Sequence, residues 1–297
     1  MELPLSNWRR YFHGFVVLPF LIAAIGILPI AVTMAIVRGK AEKSPADYLD
    51  TIERSQGQAP WDANARWRAA YQLSMHVTGD EGVHMNAQLA DHMARVFKSE
   101  SVMAGDPKVR HFLALAMGRT RYAAFFEPLL QALNDADDSA SRAVFVRALG
   151  YQGDERAVSH VTSLLTHKDT LIRHEAVQAL GNIGSLSSID SLKAMLEDPA
   201  LDIRWDAAIG LAKMKDASGK DILLSLLDEC YYTAFPNVSQ DARDWAMEVA
   251  IRTSILLRDP DLNAAIEGLA SSRNLKVREA ALAAIQGFST QAEEGSA

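Results

Sequence analysis

The sequence predicts an all-α chain, an α-solenoid of about seven helix pairs preceded by one transmembrane helix. Three observations carry this. An Arg-centred helical pattern recurs at Arg66, Arg110, Arg142, Arg173, Arg204, Arg243 and Arg278, with intervals of 44, 32, 31, 31, 39 and 35 residues. Repetition at such a period is the mark of stacked supersecondary units. Each Arg is followed at three and seven residues by mostly small or apolar positions, one stripe of a helix that must be buried. Finally, Phe15 to Val37 is a run of 23 residues without a charge.

In chain order, residues 1–11 are read as an N-terminal tail and 12–38 as a membrane anchor. The apolar run exceeds the roughly 20 residues a helix needs to cross the hydrocarbon core. It is too long for the h-region of a cleaved signal peptide, about 7–15 residues. Trp8, Tyr11 and Phe12 stand at one edge as an aromatic belt would. Ala31 and Ala35 form a small-xxx-small pair able to face another membrane helix. Basic residues flank the run on both sides, so topology follows only from the short positive tail. That tail leans the bulk of the chain outward.

Residues 39–60 read as a juxtamembrane helix and linker, with Ser44 as N-cap and Pro45 at the first helical position. Residues 61–288 are the array. Asp62, Asp106, Asp138 and Asp169 each stand four places before a register Arg, where a carboxylate can take up free N–H groups of a first turn. Gly118, Gly150 and Gly181 read as helix ends. Partner helices with their own apolar stripes lie between, over 157–165, 189–196 and 222–227. Surplus chain produces an extra helix near 85–97 and an insertion at 229–238; insertions in arrays map to loops on one face, often the binding face. Residues 289–297 read as a disordered tail.

The segments Arg142-Ala-Val-Phe-Val-Arg-Ala-Leu-Gly150 and Arg173-His-Glu-Ala-Val-Gln-Ala-Leu-Gly181 resemble HEAT repeats, specifically the short HEAT-like type of phycobilisome lyases. The resemblance covers about residues 60 to 288 and implies the fold. It implies no single function, because such arrays serve many roles.

Composition excludes several classes. A net charge of −7 and a pI near 5.6 offer no basic field to nucleic acid. Cys230 is the only cysteine, so neither a disulfide framework nor a cysteine-rich metal site exists; it has no evident activating partner. The pair His174-Glu175 resembles the His-Glu pairs through which HEAT-repeat deoxyhypusine hydroxylases bind two irons. The equivalent pairs in the other registers are Trp67-Arg68, His111-Phe112, Ala143-Val144, Trp205-Asp206, Asp244-Trp245 and Glu279-Ala280, and a metal needs three or four converging ligands. His76, His84 and His92, at spacings of eight, drift around a helix. No phosphate loop, Ser elbow or zinc-protease motif occurs. Bilin-lyase activity rests on repeat type alone.

What remains is surface. The position after each register Arg makes a ridge of Trp67, His111, Ala143, His174 and Trp205, and the insertion adds Tyr231, Tyr232 and Phe235. Such aromatics are either contacts for a partner or packing between repeats. The sequence-based reading is therefore a non-enzymatic scaffold in a bacterial inner membrane, single-pass, with its array on the periplasmic side. It would be an accessory subunit for an integral membrane protein such as a transporter, with no cofactor, metal or nucleic acid. A HEAT-repeat enzyme of hydroxylase or bilin-lyase type, or a solenoid binding a lipid or small ligand, are the alternatives.

Overall fold

A computed structural model describes residues 43–54, 60–77, 85–102, 106–236 and 238–294. All regular structure among them is helical. The helices are α1 (Pro45–Arg54), α2 (Pro60–His76), α3 (Ala87–Val102), α4 (Pro107–Thr120), α5 (Phe126–Asn134), α6 (Ser139–Gln152) and α7 (Val158–Thr162). They continue with α8 (Thr170–Ile183), α9 (Ile189–Met195), α10 (Leu201–Lys213), α11 (Lys220–Leu226), α12 (Gln240–Ser254), α13 (Pro260–Leu269) and α14 (Leu275–Glu294). The register Arg residues fall on α2, α4, α6, α8, α10, α12 and α14, and each of these helices packs on the next in that order. Shorter helices, opened by one-turn 3₁₀ segments, pack between them. This arrangement fits an α-solenoid.

Local chemistry starts several of the helices where the sequence says it should. Asp106, Asp138 and Asp169 accept from Lys108 N, Ser141 N and Leu171 N at 2.9, 2.8 and 3.0 Å. These bonds satisfy orphan donors of the first turn. Ser44 and Asp47 form a reciprocal capping box, with Asp47 N donating to Ser44 Oγ at 3.3 Å and Ser44 N to Asp47 Oδ2 at 2.9 Å. Asp62 departs from its expected place, because α2 already begins at Pro60 and leaves it inside the helix.

The recurring Arg also has a visible cause. Arg142, Arg173, Arg204 and Arg278 donate to the carbonyls of Ala136, His167, Asp198 and Ser272, each six residues back, at 2.7, 2.8, 2.7 and 3.3 Å. A guanidinium here ties the loop between two helices to the start of the next one. Arg66 pairs instead with buried Glu100, and Arg110 lies over the rings of Phe97 and Phe145 at 5.4 and 4.9 Å. The stripe three and seven residues after each Arg is buried at nearly every register, with Ile285 only partly so.

Gly118, Gly150 and Gly181 do not end their helices, as the sequence reading had it. The helices run on to Thr120, Gln152 and Ile183, and end on left-handed Arg121, Gly153 and Gly184 at φ 53°, 71° and 70°. The inner glycines are needed for close approach. A Cβ on Gly118 would stand 2.2 Å from the Ala148 carbonyl oxygen, and one on Gly181 would stand 2.9 Å from Gly210 Cα. The helices stack nearly backbone to backbone at these points.

The expected anchor at 12–38, with Ala31 and Ala35, lies outside the described residues. Among the described residues no helix is long and apolar enough to cross a membrane.

Candidate functional site

The stack brings polar residues of consecutive registers together as a ladder. Arg147, five places after its register Arg, pairs through Nε with Oε2 of Glu175 at 2.8 Å, and its second nitrogen meets Oε1. One repeat on, Gln178 donates to Asp206 Oδ2 at 2.9 Å from the same relative position. His174 Nε2 meets that oxygen at 3.0 Å. The bond to Asp206 raises the His174 pKa above 6.5 against the effect of desolvation. Lys213 Nζ donates to Asn182 Oδ1 at 3.0 Å, both nine places after their register Arg residues.

A groove opens beside these groups, with a cavity of about 390 Å³. Gly181 and Gly210 lie in its floor, where α8 and α10 come closest. Ile209, Val249 and Trp245 supply apolar wall, and Trp245 is 59% exposed. Tyr151, Asn182, Lys213 and Arg252 line it with polar groups. Lys213 is exposed at the surface, yet desolvation by the protein around it lowers its pKa. None of Lys213, Asn182, Asp206, Trp245 or Arg252 was singled out from sequence as a groove residue. The readable signal for Asn182, Lys213 and Arg252 was the recurrence of polar side chains nine places after the register Arg, with Arg119 and Tyr151 before them; Asp206 and Trp245, two places after theirs, carried none.

Of the residues singled out from sequence, Trp205, Tyr231, Tyr232 and Phe235 come together. The Trp205 ring packs on the other three with centroids 6.1 Å away, and its Nε1 donates to the Tyr231 hydroxyl at 3.3 Å. Tyr232 is buried, donates to the Leu226 carbonyl at 2.9 Å, and has its pKa raised by burial. Trp67 is half-buried and bonds locally to Asn64 at 3.1 Å. His111 meets Ser141 Oγ at 2.9 Å, and burial lowers its pKa. Ala143 is buried. Cys230 is a free, exposed thiol.

The described residues do not fit a pair of irons held by His-Glu pairs. Glu175 is buried against Arg147, and both contacts of His174-Glu175 run to other side chains of the ladder. Among the described residues, the one group of three metal-type side chains lies elsewhere, at Asp50, Glu53 and His92. There His92 Nε2 meets Glu53 at 3.1 Å, and Arg54 pairs with Asp50 at 2.9 Å. That arrangement is an ion-pair cluster.

The fold and the ladder define a HEAT-type array, and the comparisons agree. A family model described as HEAT repeats matches residues 99–170, 126–212 and 164–234. The phycocyanin lyase complex of CpcE and CpcF from Nostoc has a similar fold, with a TM-score of 0.54 at 15% identity over 83% of this chain and 95% of that one. A deoxyhypusine hydroxylase of Schizosaccharomyces pombe is 30% identical over 255 residues, 84% of this chain and 68% of the relative. A second, from Arabidopsis thaliana, is 35% identical over 77 residues, and the chain spans only 24% of its length. The chain belongs to the deoxyhypusine hydroxylase family of HEAT-repeat proteins.

This relationship corrects the functional reading made from sequence. The curated relatives carry the name of an enzyme, against a non-enzymatic scaffold serving a transporter. Assignment to a bacterial inner membrane is corrected on the same ground.

Proposed function

We propose that the chain is an enzyme that hydroxylates deoxyhypusine, as the name of the deoxyhypusine hydroxylases says of them. The single observation that carries this is 30% identity extending over 84% of the chain. The groove beside the ladder supports it with polar groups in its lining, among them Tyr151, Asn182 and Lys213. Oxygen insertion calls for a metal or cofactor that activates dioxygen. The His174-Glu175 pair does not fit iron, because Glu175 is committed to Arg147 and His174 to Asp206.

The test is to incubate the purified full chain with a deoxyhypusine-bearing protein, ferrous iron, a reductant and dioxygen. The expected result is a covalent mass change of the substrate, one oxygen per deoxyhypusine for hydroxylation. A folded chain that leaves the substrate mass unchanged under these conditions overturns the reading. Iron content measured on the same samples tests the structural assignment of the ladder: His174→Ala and Glu175→Gln should leave it unaltered.

A further inference from the structure

We infer that the groove between α8, α10 and α12 is a binding site for a small organic anion, a carboxylate or phosphate carried on a flat apolar body. This goes beyond the enzyme reading and needs no reaction. Two features of the groove point the same way. One of its cations has no carboxylate partner. The Lys213 amine is held by the neutral Asn182 amide, and among the described residues no carboxylate stands within ion-pair distance of it. The nearest acid acting on it, Asp206, is already engaged by His174 and Gln178 through one oxygen. Arg252, the other cation of the lining, is paired with Glu248 at 3.2 Å along its own helix, and Asp206 adds a carboxylate to the same lining.

The second feature is Trp245, a large ring left 59% exposed at the edge of the same cavity. Exposed aromatics beside a charged group are good anchors for ligands with both an apolar and a polar end. The cavity volume, about 390 Å³, falls in the range of small-molecule sites. Desolvation of the Lys213 amine works in the same direction, since a bound anion would restore the charge stabilisation that the missing water no longer gives.

The probes are 1-naphthoate and its neutral counterpart 1-naphthamide, titrated into the full chain and followed by tryptophan fluorescence and by calorimetry. Naphthoate is expected to bind, and Lys213→Met to weaken it about tenfold or more, the loss of one charged contact. Trp245→Ala should weaken it as well, whereas Lys215→Met, on an exposed residue outside the groove, should not. Inorganic phosphate should compete with naphthoate. Both Lys213 and Trp245 are exposed, so these variants should fold, as circular dichroism can verify. Equal affinity for the amide would mean an apolar site only and would overturn the proposal. So would unchanged binding in Lys213→Met, or no naphthoate binding up to about 10 mM, weaker than any useful site. None of these readouts depends on turnover or iron, so failure here is distinct from failure of the enzyme reading.

Discussion

At the scale of single residues, the ladder places charge where the core would otherwise refuse it. The Glu175 side chain is 1% exposed while that of its partner Arg147 is 40% exposed, so the two truncations are not equivalent. Arg147→Ala leaves a carboxylate buried without a cation and should cost about 3 kcal/mol, read as a shift in the urea midpoint. Glu175→Gln frees an Arg that can reach water and should cost less than half of that. Replacing both by Met should recover most of the loss, because a buried ion pair is often matched by apolar residues of similar size. His174 adds a pH signature. The Asp206 bond raises its pKa in the folded chain, with Asp202 and Glu175 acting in the same direction. Its contribution to stability is therefore complete below the unfolded value near 6.5 and is lost as pH rises through the raised folded value. The stability gap between wild type and His174→Ala should be wide at about pH 5.5 and narrow towards about pH 8.5. A gap that grows with pH would refute the assignment. The caps Asp106, Asp138 and Asp169 and the register residues Arg142, Arg173, Arg204 and Arg278 could be read from sequence at this scale, since each acts on backbone within six residues. The partners of Glu175 and His174 could not, because they stand 28 and 32 residues away on other helices.

At the scale of helices, glycine separates two demands that look alike in a sequence. Gly118→Ala should cost about 1–3 kcal/mol, because the new methyl meets the Ala148 carbonyl in a helix that cannot back away. Gly184→Ala has open space around its Cβ but a φ of 70°, and should cost about 1–2 kcal/mol through backbone strain alone. The two are separable: Gly118→Ala should disturb chemical shifts on α6, whereas Gly184→Ala should leave neighbouring helices in place. The sequence reading placed helix ends at Gly118, Gly150 and Gly181 because glycine after an apolar stripe is what a C-cap looks like. The true ends lie two to three residues later, where Arg121, Gly153 and Gly184 turn left-handed. Interhelix distance made the difference, and that distance is not written in any one helix.

At the scale of the whole molecule, each register helix packs on its two neighbours, so damage should stay local. Ile251→Ala removes a fully buried side chain from α12 and should cost about 2–4 kcal/mol. Hydrogen exchange should accelerate in α10 to α14, while α4 and α6 keep their protection. Uniform acceleration along the chain would contradict a stack of semi-independent units. The repeat and its buried stripe were legible in the sequence, because helical period is local and repetition makes it conspicuous. What the ridge and insertion residues touch was decided by tertiary structure. Trp205, Tyr231, Tyr232 and Phe235 close on one another, Glu175 is committed to Arg147, and a groove opens over Gly181 and Gly210. These outcomes depend on which residues of successive repeats meet across the stack, and that pairing exists only once the helices have packed.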